Sequence, residues 1–174
     1  HILNNLPLMI VTSNWVKETY SRDGVKGNIK VCPIGFDPDI FYPQKIKERT
    51  TILKEMLGVR EHEKIIFSAG GDVTSKGAQE MFKALAKIKD KFNDWKYILK
   101  INDSPSAEIH GDEEEKLIEE LGLDQNRIIY LKGEYTPEFM AALLNVCDIY
   151  AAPSRIEGFG MIQVEAMACG KPVI

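Results

Sequence analysis

The segment PSRIEGFGMIQVEAMACGKP contains residues whose types and spacing could do chemistry. Within it, Gly158 and Gly160 immediately precede an apolar, helix-periodic stretch that predicts a helix beginning at Met161. The first-turn amides of a helix have no partner within that helix, and the helix dipole attracts anions. Glycine at this place lets a bulky phosphate approach the backbone, so the segment predicts a diphosphate site.

Two glutamates flank the predicted helix start, with seven residues between them. Glu157 precedes the helix, whereas Glu165 lies about one turn inside it, on the same face as Met161. Carboxylates repel phosphate, but they accept hydrogen bonds from sugar hydroxyls. We interpret both as hydroxyl-binding groups. The alternative is that Glu157 caps the helix and Glu165 is a solvated surface residue.

Neither glycine-rich segment matches a common nucleotide-binding motif. The segment GGDVTSKG lacks the Gly-Lys-Ser/Thr ending of a P-loop, because Lys76 precedes Gly77. The Gly158-Phe159-Gly160 run lacks the third glycine of the dinucleotide fingerprint, since Gln163 occupies that place. Both observations disfavour the corresponding classes, P-loop enzymes and dinucleotide-dependent dehydrogenases.

Two further side chains are candidates for ligand contact. Lys76 begins a predicted helix, where its ammonium could neutralise a diphosphate leaving group; the alternative is a solvent-facing lysine. Tyr135 lies in a loop beyond a predicted strand and could border a nucleotide base, or it could be a hydrogen-bonded surface tyrosine. The other basic residues near these loops are expected at the surface: Lys100, Lys132 and Arg155.

The elements that must position these residues alternate between strand and helix. Strands are predicted over Leu8 to Val11, Ile29 to Ile34, Lys64 to Ala69, Lys96 to Ile101, Arg127 to Leu131 and Asp148 to Ala152. Helices are predicted from Ser13 through Tyr20 and over Ile46 to Leu57, Ser75 to Ile88, Glu113 to Leu121, Pro137 to Val146 and Met161 to Ala168.

This alternation predicts an α/β fold, a Rossmann-like parallel sheet with helices on both faces, because a helix supplies the long crossover that parallel strands need. Such sheets bind ligands beyond the carboxyl ends of their strands. The site is therefore expected in the loops after Ala69, Ile101, Leu131 and Ala152. The proline-containing stretch FDPDIFYP precedes this pattern and is interpreted as an interdomain linker.

Composition excludes several classes of function. The 174 residues are 44% hydrophobic and carry a formal net charge of −4, which indicates a packed fold and disfavours nucleic acid as a partner. Apolar runs fall far below the ~20 residues of a membrane-spanning helix. The three cysteines, Cys32, Cys147 and Cys169, have no Cys-x-x-Cys spacing, so we expect buried thiols in a cytoplasmic protein. No histidine has a partner at metal-ligand spacing, and no metal is assigned.

Four blocks of the sequence resemble the retaining glycosyltransferases of the two-domain GT-B type, a group that includes mannosyltransferases and bacterial lipopolysaccharide glycosyltransferases. Together they cover most of the chain, and the last is the most specific. They are SNWVKETY…IKVCPIGFDPDIFYP, GGDVTSKG, IIYLKGEYTPEFMAALLNVCDIYAAPS and EGFGMIQVEAMACGKPVI.

The resemblance implies a two-part organisation. Residues 1–36 would be the end of an N-terminal acceptor domain and its linker, and residues 37–174 a donor-binding domain truncated at its C-terminus. Because the chain starts with His1 and its last residues look like a strand cut short, we interpret it as a fragment of a longer protein.

The resemblance also implies an activity. The protein would be a hexosyltransferase that takes a nucleoside-diphosphate sugar as donor, needs no metal or other cofactor, and retains the anomeric configuration. Its acceptor would be a carbohydrate or a lipid-linked molecule, bound through the missing N-terminal domain. Peripheral membrane contact of the full-length protein is compatible with this assignment.

By position in the matching blocks, Glu157 would contact the hydroxyls of the transferred sugar and Glu165 the ribose. Lys76 would contact the diphosphate. Tyr135, with Gly133 and Glu134, would border the base. The backbone of two loops would complete the substrate site: Gly70, Gly71, Gly158, Phe159, Gly160 and Met161.

One position departs from the family pattern. The family usually has arginine where this chain has Gly71, so a cation expected beside the diphosphate is missing. Two alternatives stay open besides a glycosyltransferase, and the missing arginine bears on the second. One is a sugar-nucleotide epimerase of the same fold, which would release an epimerised product without an acceptor. The other is a non-catalytic module that binds nucleotide sugars.

Overall fold

The computed structural model of the chain describes residues 2–44, 47–70, 76–101 and 114–174. Its contacts divide the chain into two compact units, His1–Gly35 and Phe36–Ile174. The identification of the first unit with an acceptor domain stays a prediction. Among the described residues, no helix combines the length and the apolar character needed to cross a membrane.

The smaller unit is a short strand–helix–strand arrangement. Strands β1 (Met9–Val11) and β2 (Ile29–Val31) pair in parallel, and helix α1 (Asn14–Arg22) connects them. The hydroxyl of Ser13 accepts a hydrogen bond from the Val16 amide at 3.2 Å, which confirms the predicted cap. The buried side chains of this unit are Val11, Val25 and Ile29.

The larger unit is a four-stranded parallel sheet with helices. Its strands are β3 (Lys64–Ala69), β4 (Trp95–Ile101), β5 (Ile128–Lys132) and β6 (Ile149–Tyr150), in the spatial order β5-β4-β3-β6. Its helices are α2 (Lys47–Met56), α3 (Ala78–Ile88), α4 (residues 114–120), α5 (Pro137–Val146) and α6 (Met161–Ala168).

The sheet has an apolar cluster on each face, as the predicted fold requires. Along β3 and β4, neighbouring side chains belong to different clusters, because successive residues of a strand point to opposite faces of the sheet. Ile65, Phe67 and Ile98 pack with α5 and α6, whereas Tyr97 and Leu99 pack with α3. Helices therefore cover both faces of the described sheet.

The observed elements differ from the predicted ones mainly at their ends. β6 is shorter than the predicted Asp148 to Ala152: only Ile149 and Tyr150 pair with β3, and the Asp148 carboxylate accepts a hydrogen bond from the Ile65 amide at 2.9 Å. The thiols of Cys147 and Cys169 are buried as predicted, and burial raises the pKa of Cys147 to about 12. The prediction for Cys32 is wrong: it follows β2 immediately and is exposed.

Candidate functional site

A cleft of about 600 Å³ opens at the carboxyl ends of the strands in the larger unit. All four strands lead into it: β3 through Ala69 and Gly70, β4 through Lys100, β5 through Glu134, and β6 through Tyr150. The first turn of α6 forms another wall. The cleft thus lies at the edge where parallel α/β sheets bind ligands.

The cleft brings together Lys76 and Glu157, although 81 residues separate them. The Lys76 ammonium donates a hydrogen bond to the Glu157 carboxylate at 2.8 Å, and both side chains are about one-third exposed. The hydrogen bond from Lys76 lowers the pKa of Glu157, and Gln163 donates a further, longer bond at 3.5 Å to the same carboxylate. The Glu157 carboxylate is therefore ionised at neutral pH and lies in direct contact with the Lys76 side chain.

Close packing at the end of β3 positions Lys76. The aliphatic stem of Lys76 lies on Gly70, where an added Cβ would come within 2.6 Å of the Lys76 Cγ. The next residue, Gly77, has a φ of +76°, and a Cβ there would come within 2.1 Å of the Pro153 carbonyl oxygen. Glycine at both positions lets the start of α3 approach the sheet, which brings the lysine to the cleft.

The first turn of α6 presents backbone amides to the cleft. Gly160 precedes the helix with a φ of +80° and provides no side-chain cap. Met161, Ile162 and Gln163, the first three helical residues, line the cleft. Because the amides of a first turn have no acceptor within the helix, this wall can bind an anion.

Glu165 lies one turn further along α6 and also lines the cleft. Its carboxylate makes no hydrogen bond or ion pair with any residue that the structure describes. Burial raises the pKa of Glu165 above its ordinary value. A half-buried carboxylate with unused acceptor capacity fits a ligand that brings hydroxyl donors.

At the opposite end of the cleft, Tyr135 stacks on Phe139 with ring centroids 4.9 Å apart and an interplanar angle of 20°. Its hydroxyl donates to the Lys132 carbonyl at 3.1 Å, which fixes the ring. Phe139 lies in the first turn of α5, whose N-cap Thr136 accepts the Phe139 amide at 3.3 Å. The ring therefore has a defined orientation beside the cleft.

The predicted site residues do not all lie in the cleft lining. Gly70, Lys76, Tyr135, Glu157, Met161 and Glu165 line it. Gly158 and Phe159 are exposed in the loop that leads into α6, and Gly160 is the residue before the helix. Gly71 lies outside the described residues. The functional roles of all these residues stay predictions.

Sequence reasoning missed one charged residue of the cleft. Lys100 was expected at the surface, but it lines the cleft near the carboxyl end of β4. The rule that ligands bind at the carboxyl ends of parallel strands could have found it. Lys132, the last residue of β5, is exposed as predicted and does not line the cleft.

No metal centre is evident in this part of the molecule. Within residues 2–44, 47–70, 76–101 and 114–174, no three His, Cys, Asp or Glu side chains gather closely enough to hold a metal ion. Metal independence nevertheless stays a prediction. Of the charged residues described in the cleft, the cations are Lys76 and Lys100 and the anions are Glu134, Glu157 and Glu165.

A family model described as "Glycosyl transferases group 1" matches residues 50–174 of this chain. The D-inositol 3-phosphate glycosyltransferase of Corynebacterium jeikeium is 32% identical over 99% of the chain. The MMP alpha-(1->4)-mannosyltransferase of Mycolicibacterium hassiacum is 29% identical over 84% of the chain. The chain spans 42% of the first relative and 30% of the second.

Solved structures share the fold. Sucrose-phosphate synthase from Thermosynechococcus elongatus matches 99% of this chain, and 41% of its own, with a TM-score of 0.78 and 29% identity. Anabaena HepE in complex with UDP-glucose matches 99% of this chain, and 45% of its own, with a TM-score of 0.81 and 27% identity. The parallel sheet with helices on both faces is thus the GT-B architecture of these neighbours.

Proposed function

Because this chain belongs to the group 1 glycosyltransferases, we propose that its larger unit binds a nucleoside-diphosphate sugar, whose sugar is transferred to an acceptor. The observation that carries the proposal is the contact of Lys76 with Glu157 beside the first turn of α6. A cation, a hydroxyl acceptor and unpaired amides meet there at one end of the cleft. These are the groups that a sugar joined to a diphosphate requires.

Donor binding would exchange the bond between Lys76 and Glu157 for two bonds to the donor. The ammonium would stabilise the charge that develops on the departing nucleoside diphosphate, while the carboxylate would accept sugar hydroxyls. The ammonium would interact more strongly with the transition state than with the ground state, because the negative charge on the leaving group grows as the glycosidic bond breaks. The Lys76 ammonium would therefore contribute to catalysis as well as to donor binding.

The remaining lining residues accommodate a nucleoside. Glu165 would bind ribose hydroxyls, and the face of Tyr135 would border the base. From α6 to the loop after β5, the cleft passes the ends of strands β6, β3, β4 and β5 in that order. The sugar and diphosphate would then lie over β6 and β3, with the base beyond β4. HepE, a neighbour of this chain, has been solved with UDP and with UDP-glucose, which supports this class of ligand.

We propose retention of the anomeric configuration, and a hexose as the transferred sugar, on the resemblance of the donor segment. The acceptor would be a carbohydrate or lipid-linked molecule that the rest of a longer protein binds. No resident metal is part of the proposed mechanism, since Lys76 and the α6 amides would stabilise the leaving group. The cytoplasm, where nucleotide sugars are made, is the proposed location.

The direct test is a binding and transfer experiment. UDP, GDP, ADP and their glucose and mannose conjugates are titrated into the chain, and we expect at least one diphosphate to raise its Tm. In a longer protein that carries this unit, Lys76→Ala and Glu157→Ala should each lower transfer about 100-fold or more.

Transfer within a few-fold of the wild type in both variants would overturn the proposed roles. Incubation of the wild type with the bound nucleotide sugar and no acceptor tests the epimerase alternative, which predicts an epimerised product. Binding without transfer or epimerisation would instead support a non-catalytic module. NMR of the anomeric proton in the product tests retention.

A further inference from the structure

The Glu157 carboxylate accepts hydrogen bonds from side chains on two different sides of the cleft. Glu157 itself lies in the loop between β6 and α6, outside any helix or strand. Its Oε1 atom accepts the Lys76 ammonium at 2.8 Å, and the same atom accepts the side-chain amide of Gln163 at 3.5 Å. Lys76 lies at the start of α3, whereas Gln163 is the third residue of α6. The orientation of this loop carboxylate therefore depends on two neighbouring helices.

The side chain of Gln163 is folded back over the start of α6. A Cβ added at Gly160 would lie 3.0 Å from the Cδ and Oε1 atoms of Gln163 and 3.2 Å from its Nε2 atom. The carboxamide thus packs beside Gly160, and Gln163 is half-buried and lines the cleft. Because an ionised carboxylate only accepts hydrogen bonds, the Nε2 end of the carboxamide has to face Glu157. Gln163 therefore has a defined position between the helix start and Glu157.

The proposed function removes one of these two donors from Glu157. When the nucleotide sugar binds, the Lys76 ammonium would leave the carboxylate for the diphosphate, because a cation is attracted more strongly to phosphate than a neutral amide is. Gln163 would stay beside Glu157 on α6, the helix whose first-turn amides would bind the same donor. Ser154 also donates to Glu157, but it belongs to the same loop and cannot fix the carboxylate relative to α6.

We propose that Gln163 is the positioning residue of Glu157: its amide donates to the Glu157 carboxylate in the donor complex and holds it toward the sugar hydroxyls while Lys76 binds the leaving group. This inference rests on the proposed function. Gln163 acts through Glu157 and does not itself have to touch the donor. The bond at 3.5 Å in the ligand-free cleft is expected to shorten once Lys76 no longer competes for the same oxygen.

A double-mutant cycle in a longer protein that carries this unit separates positioning from a general structural role. Gln163→Met keeps an unbranched side chain with similar helix propensity and removes the hydrogen bond. We expect it to lower kcat/KM for transfer about 5-fold or more in the wild-type background. In the Glu157→Ala background, the same substitution should change kcat/KM by no more than about 2-fold, because no carboxylate remains to be positioned.

Two measurements on the 174-residue chain test the same contact without turnover. Gln163→Met should weaken UDP-glucose about 5-fold or more and leave UDP within about 2-fold of the wild type, since UDP lacks the sugar that Glu157 would bind. GDP and GDP-mannose, or ADP and ADP-glucose, replace this pair if only that diphosphate raises the Tm. In the ligand-free chain, carboxyl NMR should show the pKa of Glu157 rising in Gln163→Met, because a hydrogen bond to the ionised form is lost.

Two further variants serve as controls. Gln79, a half-buried glutamine in the first turn of α3, does not line the cleft, and Gln79→Met should stay within about 2-fold of the wild type in every assay. Gln163→Glu keeps the shape of the side chain but places a second carboxylate beside Glu157, so it should lower transfer more than Gln163→Met does. The amide spectrum of each variant shows whether the fold is intact, and Gln163→Leu replaces Gln163→Met if the latter does not fold.

The outcomes distinguish the two proposals. If Glu157→Ala lowers transfer but Gln163→Met does not, Gln163 has no positioning role and the proposed function stands. An equal loss from Gln163→Met with and without the Glu157 carboxylate would also overturn the inference, because Gln163 would then act independently of Glu157. If Glu157→Ala leaves transfer unchanged, or if no UDP, GDP or ADP binds the wild type, the proposed function fails together with this inference.

Discussion

The contact between Lys76 and Glu157 bears on both the stability of the fold and the proposed function, because both involve the same two side chains. Both are about one-third exposed, so solvent screens their attraction and the pair contributes little to folding. A weak pair is compatible with the proposed function, because donor binding has to separate it. Arg155, in the same loop as Glu157, forms an ion pair with Glu80 of α3. This ion pair is a second contact between the loop after β6 and the start of α3.

A double-mutant cycle of Lys76→Met and Glu157→Gln should measure this weak coupling. We expect about 0–1 kcal/mol in the free energy of unfolding at pH 7. Because Lys76 lowers the pKa of Glu157, the coupling is present above the ordinary glutamate pKa and is lost as the pH falls through the lower folded value. Urea titrations at pH 7 and at about pH 3.5 test this. A coupling that grows on acidification would contradict the assignment.

For Glu165 we expect the opposite dependence of stability on pH. Burial raises the pKa of its carboxyl, so the folded state holds the proton more tightly than the unfolded state does. The resulting stability is complete below the unfolded pKa and is lost as the pH rises through the folded pKa. Glu165→Gln should therefore raise the Tm at pH 8 in nucleotide-free buffer and leave it nearly unchanged at pH 4.

The same Glu165→Gln substitution should weaken the binding of ribose-containing ligands, because the amide accepts fewer hydrogen bonds than the carboxylate does. Measuring the Tm at both pH values, and the UDP affinity, checks both effects. Glu138, an exposed glutamate in the first turn of α5, provides a matched control: Glu138→Gln should produce neither the pH-dependent gain nor the loss of affinity. A lower Tm for Glu165→Gln at pH 8 would be inconsistent with the proposed burial effect.

At the scale of elements, the site depends on how closely the start of α3 approaches the loop after β6. Gly77 makes this approach possible, since it combines a left-handed φ of +76° with a backbone carbonyl where a Cβ would lie. Lys76 immediately precedes it and points across Gly70 to Glu157. Moving α3 outward would therefore separate the two candidate catalytic groups.

Gly77→Ala tests this packing, and Gly58→Ala is its control. Gly58 has a similar φ of +66° but no atom within 4 Å of an added Cβ. Its substitution should cost about 1 kcal/mol for the left-handed backbone alone. Gly77→Ala should cost more than about 2 kcal/mol, because the Pro153 carbonyl must also move. Thermal unfolding measures both, and equal losses would show that the contact with Pro153 is unimportant.

The order and type of the elements could be predicted from the sequence, because helix and strand periodicities differ and glycine ends several helices. Lys64–Ala69, Pro137–Val146 and Met161–Ala168 have the predicted bounds. The helix predicted to begin at Ser75 is observed as α3 from Ala78, because the N-cap Gly77 has a left-handed φ of +76°; Ser75 itself lies outside the described residues. Element ends depend on tertiary contacts, which periodicity does not contain.

The candidate site was predictable only in part, for the same reason. Local spacing identifies Glu157 and Glu165, because both flank one helix start. The pairing of Lys76 with Glu157 requires α3 and the loop after β6 to meet, and no local pattern encodes that distance. Lys100 is an ordinary strand lysine in the sequence, and only the register of β4 between β3 and β5 places it in the cleft.

At the scale of the whole molecule, the two units differ greatly in the size of their cores. Among its described residues the first has three buried apolar side chains, whereas the second has two extensive clusters on the faces of its sheet. A core of three residues cannot offset the conformational entropy of an ordered chain of this length. All the described residues that line the cleft belong to the second unit.

The second unit should therefore fold and bind nucleotide by itself. A protein consisting of Phe36–Ile174 is expected to show the UDP affinity of the 174-residue chain within about 2-fold, because it keeps every described residue of the cleft and both clusters. A peptide of residues 1–35 should be largely unfolded by circular dichroism, since its few buried contacts cannot support a structure. Calorimetry on the two longer proteins measures the affinities. A loss of more than about 10-fold on removing residues 1–35 would mean that the smaller unit takes part in donor binding, and the cleft of the larger unit would then be an incomplete donor site.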